Sequence, residues 1–157
     1  DTVRLCKAAI DLGWKVTVVA SPDEEKTKAF FGEVIEFITP TFETLDTSQI
    51  DDQTAVILMT HSFNKDVQYL LALANTHPAY FGILGPKHRR ERLLEKALDF
   101  NPELSIDFLE QLHGPAGINI GAESAEEIAV SILAEILSVI RNQKPVQLKE
   151  KPGNIHD

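Results

Sequence analysis

The sequence predicts an α/β fold, a doubly wound, mostly parallel sheet with helices on both faces. Three observations predict it. Short β-branched or apolar runs alternate with stretches of helical periodicity along most of the chain. One run, Ala55-Val56-Ile57-Leu58-Met59-Thr60, is apolar without alternation, as a strand buried on both faces would be. The spacing at which these strands and helices alternate means that the strands run parallel, with helices on both faces.

The elements follow in order. Val3 to Leu12 places Leu5, Ala8, Ala9 and Leu12 on one helical face, with Asp1 or Thr2 as cap and Gly13 as stop. Lys15 to Ala20 is a strand. Ser21-Pro22-Asp23 turns the chain into a short helix ending near Phe31-Gly32, and Val34 to Ile38 is the second strand. A polar connection runs from Thr39 to Asp52, and the apolar run at Ala55 follows. Ser62 or Asn64 opens a helix through Val67, Leu70, Leu71 and Leu73 to near Asn75. Ala79 to Leu84 is a strand and Lys87 to Leu98 a helix, broken by Asn101-Pro102. Ser105 to Leu112 makes a short helix, His113 to Gly117 a loop, and Ile118 to Ile120 a last brief strand. Ser124 and Glu127 have capping-box spacing and launch a long helix to near Arg141. Residues 1–142 read as one domain and 143–157, with Pro145, Pro152 and Gly153, as a polar tail.

A nucleotide-binding sheet of this kind begins with a strand and a glycine-rich turn. This sequence starts inside the helix that should follow, so the first strand is expected upstream. A G-x-G-x-x-G fingerprint is absent from these residues.

Bulk properties narrow the function. The net charge of −9 and a pI near 5.0 argue against nucleic acid or an anionic membrane as partner. No apolar run reaches the roughly 18 residues of a membrane span. A single cysteine, Cys6, rules out an internal disulfide and suits a reducing compartment, so a cytoplasmic location is expected. Cys6 itself, on an apolar helix, reads as an inert buried thiol.

Against that acidic background, the segment from Tyr80 to Arg92 stands out. A buried strand ends in Gly85, and the helix that follows begins with Lys87, Arg89, Arg90 and Arg92. Helix N-termini carry partial positive charge and free N–H groups, so these cations oppose the helix dipole unless an anion docks there. Ion pairs with Glu91 and Glu95 are the plainer reading of the same residues. The position favours a site, because ligands of parallel sheets bind beyond the C-terminal strand ends. His61, at the end of the Ala55 strand, shares that edge, whereas His113 falls in a loop. No His/Cys/Asp/Glu spacing suggests a bound metal, and no nucleophile arrangement suggests a catalytic residue. The last helix is apolar around most of its circumference, leaving only the stripe Ser131, Glu135, Ser138 and Asn142. It is therefore expected to meet a second surface, an upstream domain or a symmetry partner, besides the sheet.

The segments Phe81-Gly82-Ile83-Leu84-Gly85-Pro86-Lys87-His88-Arg89-Arg90 and Leu112-His113-Gly114-Pro115-Ala116-Gly117-Ile118-Asn119-Ile120-Gly121-Ala122-Glu123 resemble two segments of the XdhC/CoxI family. Glu126 to Ile136 continues the likeness, and Met59-Thr60-His61, with Asp66 downstream, is similar to the family's strand end. The resemblance implies the C-terminal Rossmann-like domain of an accessory factor for molybdenum hydroxylases of the xanthine dehydrogenase type. Such a factor binds the molybdenum cofactor (molybdopterin), assists its sulfuration with a cysteine desulfurase, and inserts it into the apoenzyme. The apolar last helix, for its part, makes a homo-oligomer the expectation. On the basis of the resemblance, Gly85 permits close backbone approach, Lys87, Arg89 and Arg90 hold the pterin phosphate, and Thr60, His61, His113 and Asn119 contact the heterocycle. Two departures matter: Ala20-Ser21-Pro22 stands where the family has an acidic element, and Asn119 stands for its Asp. The first weakens an NAD(P)-dependent oxidoreductase, which with a nucleotide-sensing domain is the alternative use of the crevice. Arg89→Glu together with Arg90→Glu is expected to weaken cofactor or nucleotide binding by more than tenfold with little loss of stability.

Overall fold

The computed structural model describes residues 1–32 and 35–156. Its elements are α1 (Thr2–Asp11), β1 (Thr17–Val19), α2 (Lys28–Phe31), β2 (Glu36–Ile38), β3 (Ala55–Leu58), α3 (Phe63–Ala72), β4 (Tyr80–Ile83), α4 (Lys87–Phe100), α5 (Ile106–Glu110), β5 (Leu112–His113) and α6 (Ala125–Ile140). Every strand pair is parallel, as expected: β1 with β2, and β4 between β3 and β5.

Period-two alternation in β3 and β4 divides the molecule into layers. Leu58, Phe81 and Ile83 point to one face, where Val67 and Leu70 of α3, Leu93 and Ala97 of α4 and Phe108 of α5 close over them. Tyr80, Ala55 and Ile57 point to the other, against Leu5 and Ala9 of α1 and Ala129, Ile132, Leu133 and Ile136 of α6. Tyr80, Phe81 and Ile83 are each 1 % exposed, which fits a central strand covered on both sides. Burying each such side chain contributes about 1.5–3 kcal/mol. Cys6 is buried in a third cluster with Val18 and Ile35, and burial pushes its thiol up, which suits the inert role expected of it.

The sheet is in two parts. Among the described residues no strand pairing joins β1 to β3. Even so, Val19 packs with the core on the α3/α4 side and Val16 with the core on the α1/α6 side, so the segment leading through β1 joins both layers. The start of the second strand at Val34 lies outside the described residues, and the observed strand begins at Glu36.

The region after α4 differs from the expectation. The short helix ends at Glu110, and the last strand is Leu112–His113 rather than Ile118–Ile120. Leu112, 4 % exposed, is drawn into the core beside Phe81, which it faces in register. Ile118 is held by a helix instead: its N–H donates to the Ser131 carbonyl at 3.3 Å, and its carbonyl accepts from Ser131 Oγ at 2.6 Å. With those groups satisfied by α6, the segment has no need of a sheet partner. The capping box at Ser124 and Glu127 is present, with both reciprocal bonds formed. Residues 143–156 are almost wholly exposed apart from Lys151, with a single 3-10 turn at Leu148–Glu150.

Candidate functional site

Beyond the C-terminal ends of β3 and β4 lies an open cleft of about 410 Å³ lined by Asp1, Met59, Thr60, His61, Leu84, Gly85, Arg89 and Ile128. It brings together Thr60, His61, Gly85 and Arg89, all singled out from the sequence. The residues that follow β3 form one wall and those that follow β4 the other, the α1 cap and the first turn of α6 closing the side.

Gly85 has φ +119°, a conformation L side chains rarely adopt, and a Cβ there would lie 2.6 Å from Arg89 Cδ. The glycine therefore leaves the space through which Arg89 folds back over the strand end. The Arg89 guanidinium meets the carboxylate of Asp66 on α3, which is 0 % exposed. Arg89 Nη2 also donates to the Thr60 carbonyl at 3.4 Å, and Thr60 Oγ1 donates to Asp66 Oδ1 at 2.6 Å. A buried carboxylate is tolerated only when paired and hydrogen-bonded, and here a cation and a hydroxyl do both. The Arg89 side chain remains 21 % exposed, and among the described residues its Nε and Nη1 have no hydrogen-bond partner.

The α4 N-terminus stands beside this cleft. Its cap residue is Pro86, which offers no side-chain cap, and its first turn holds no acid. Lys87 and His88 are exposed there, and no ion pair joins Lys87 to Glu91 among the described residues. Uncapped N–H groups, the helix dipole and Lys87 together make a local positive potential that attracts an oxyanion.

The other basic residues are differently employed. Arg90 turns away from the cleft, its Nε donating to the Leu112 carbonyl at 3.2 Å and Nη2 to the Leu109 carbonyl at 3.4 Å. Gly114 lies against it, since a Cβ there would come within 2.6 Å of Arg90 Cδ. Arg90 thus ties α4 to the α5–β5 corner. Arg92 lies over the Phe63 ring, 5.0 Å from its centroid.

His113 stacks on Tyr80 at 4.6 Å between centroids, on the α6 side, and its Nδ1 is 3.4 Å from Glu135 Oε1. It lines a second hollow of about 350 Å³ with residues at the end of α6, apart from the first cleft. Asn119 is exposed in the irregular segment after β5 and lines neither.

Sequence reasoning gave no role to Asp66 or Glu135. Asp66 had a signal, an acid in a helix whose neighbours Val67 and Leu70 are apolar. Glu135 also had one, the polar stripe on α6. Glu135 Oε1 accepts from the Tyr80 hydroxyl at 2.6 Å and from the Gly117 N–H at 3.1 Å, so much of the stripe anchors the segment after β5. Among the described residues no three His, Cys, Asp or Glu side chains are placed to hold a metal ion.

Comparison with known proteins agrees with this architecture. The family model described as the XdhC Rossmann domain matches residues 1–136. Over 138 residues the chain is 32% identical to a probable xanthine dehydrogenase subunit of Bacillus subtilis (strain 168), covering 87% of this chain and 39% of that protein. Over 97 residues it is 35% identical to the "molybdenum cofactor insertion chaperone PaoD" of Escherichia coli (strain K12), covering 62% of this chain and 30% of that protein. A crystal structure described as a xanthine dehydrogenase from Bacillus halodurans superposes with a TM-score of 0.72 at 31% identity, over 96% of this chain and 42% of that one. The chain spans less than half the length of these relatives. It belongs to the XdhC family, and its fold is Rossmann-like.

Proposed function

We propose that this XdhC-family domain is the cofactor-handling part of an accessory protein for a molybdenum hydroxylase of the xanthine dehydrogenase type. It binds the molybdenum cofactor, shelters it while a cysteine desulfurase supplies the sulfur, and releases it into the apoenzyme. The work is done in the cytoplasm, by a homo-oligomer. The observation that carries this reading is the convergence of Thr60, His61, Gly85 and Arg89 in one cleft beside a helix start that is basic and uncapped. The name of the Escherichia coli relative supports it.

The residues present fit such a group. Lys87 and the free N–H groups of α4 suit the phosphate of a pterin, and the unpartnered Nε and Nη1 of Arg89 add donors at the cleft. Met59, Leu84 and Ile128 offer an apolar surface for a flat heterocycle, with Thr60 and His61 at its edge. The bound cofactor carries the molybdenum chemistry that the client enzyme needs. This domain's own side chains grip, exclude water and let go. Of the wider set drawn from the sequence, Arg90 is taken up by the Leu109 and Leu112 carbonyls and does not hold the phosphate, and His113 and Asn119 contact a ligand only if it extends past β5.

The test is binding of molybdenum cofactor released from a donor enzyme, read as pterin and molybdenum co-eluting with the protein. NAD(P) and ATP serve as competitors. Retention of cofactor that neither nucleotide displaces is expected. Tight nucleotide binding with no pterin retained overturns the reading in favour of an oxidoreductase or a nucleotide sensor.

A further inference from the structure

A second polar cluster stands on the same sheet edge, on the β1 side. Just past β1, Ser21 is 7 % exposed, and its hydroxyl donates to Asp23. Lys65, in the first turn of α3, reaches across from the other part of the sheet. Its Nζ lies 2.7 Å from Ser21 Oγ and 2.9 and 3.1 Å from the two Asp23 carboxylate oxygens. One turn on along the same face of α3 is Tyr69, 5 % exposed, whose buried hydroxyl has no hydrogen-bond partner. A buried hydroxyl without a partner is costly and calls for an explanation.

The carboxylate in this cluster is its most exposed member. The Asp23 side chain is 73 % exposed against 32 % for Lys65. An exposed surface carboxylate therefore caps an ammonium and a buried serine hydroxyl, both of them donors. Burial, and after it the charges of Asp23 and Asp66, push the ionisation of the Tyr69 hydroxyl up, so it stays a donor. Asp23 satisfies the serine and the lysine, and among the described residues no group pairs with the Tyr69 hydroxyl. A tetrahedral oxyanion, with oxygens on every side, offers acceptors to all three donors.

We propose that Ser21, Lys65 and Tyr69 form a phosphate subsite, which Asp23 occupies in the free chain and vacates when a phosphate-bearing ligand arrives. The subsite stands apart from the reading of the cleft at Gly85, with which it shares only the sheet edge. Because Lys65 and Asp66 are neighbours on α3, facing Asp23 and Arg89 respectively, one ligand with two anionic groups can span both.

The experiment uses inorganic phosphate as the probe, titrated calorimetrically into the whole chain and its variants. Asp23→Asn removes the internal competitor and should tighten phosphate binding at least fivefold. Adding Lys65→Met to that variant should return affinity to the unmodified level or below, and adding Tyr69→Phe should weaken it severalfold. Lys96→Glu, which removes an exposed cation that lines neither cleft, should leave the gain intact. Circular dichroism melting checks that each variant folds; Tyr69→Phe keeps the ring and serves if Lys65→Met does not fold. No gain in Asp23→Asn overturns the proposal. So does a gain that survives loss of both Lys65 and the Tyr69 hydroxyl, or one that Lys96→Glu abolishes.

Discussion

Arg89, at the start of α4, is paired with Asp66, wholly buried in α3, so the most conspicuous cation of the basic segment is also a structural tie between two helices. The Thr60 hydroxyl takes the other Asp66 oxygen, and with it the end of β3 is fixed to both. Removing one partner of a buried pair strands a charge and costs about 3–5 kcal/mol. Arg89→Glu should therefore unfold the chain at markedly lower urea concentration, because it sets a second carboxylate against Asp66. Asp66→Asn should cost less, since an amide still hydrogen-bonds to Thr60 and Arg89. Equal midpoints for Arg89→Glu and the parent would contradict the tie.

Arg90 makes a separate prediction. Its guanidinium holds the carbonyls of Leu109 and Leu112, where α5 passes into β5. Hydrogen bonds from a charged donor contribute about 1.5–3 kcal/mol. Arg90→Met should lose stability in that range while leaving ligand binding at the cleft close to unchanged. Gly114→Ala should reproduce part of the loss, because its methyl group would press on Arg90 Cδ. Intact stability with binding lost would return Arg90 to the ligand.

These two residues show where the sequence was legible and where it stopped. The β3 and β4 runs, the Ser124 cap and the position of the cleft at Thr60, His61 and Gly85 all follow from local patterns: apolar continuity, capping spacing and a glycine at a strand end. The partners of Arg89 and Arg90 are not local. Asp66 is 23 residues from Arg89, and Leu112 is 22 from Arg90. No periodicity reports which cation folds back into the protein and which stays in water. The same blindness moved the last strand, because Ile118 looks like strand sequence until Ser131 is seen to hold its backbone. The Ser21, Asp23 and Lys65 cluster was hidden likewise, its halves lying on different parts of the sheet.

Lys87 is an exposed cation in the first turn of α4, with no ion pair among the described residues. Lys87→Glu reverses the charge beside the free N–H groups of that helix. It should weaken retention of the molybdenum cofactor by about tenfold, which corresponds to about 1.4 kcal/mol, with the unfolding midpoint little changed. His61→Ala, at an exposed cleft wall, should weaken it less. Retention is read by pterin fluorescence after gel filtration, and undiminished retention in Lys87→Glu would remove the α4 start from the site.

The outer side of α6 bears Val130 at 56 % and Ile140 at 44 % exposure, on a helix already packed against both α1 and the sheet. The proposed homo-oligomer would use this side. Light scattering coupled to size exclusion should then give a mass above that of one chain, and Val130→Lys should shift it toward 17.5 kDa. A monomer at all concentrations would remove the self-association reading and leave the surface for another domain.

Tyr80 sets the alkaline limit of stability. Burial first, then the hydrogen bond to Glu135 and the charge of that carboxylate, hold its phenol well above the ordinary tyrosine range. The folded chain thus keeps a proton that the unfolded chain gives up at about pH 10. A raised ionisation contributes stability that is whole below that pH and is lost as pH climbs toward the folded value. Above about pH 10 the parent should lose about 1.4 kcal/mol more per pH unit than Tyr80→Phe, which has no proton to lose. Tyr69 is shifted the same way, chiefly by burial, and remains in both proteins, so it cancels. Urea unfolding from about pH 8 to about pH 11 measures the two slopes. Tyr80→Phe should start lower, because Glu135 loses the phenol and keeps only the Gly117 N–H and His113, and the two curves should converge as pH rises. Parallel curves would mean that the phenol ionises as readily in the folded protein as in the unfolded chain, and that Glu135 does not hold it.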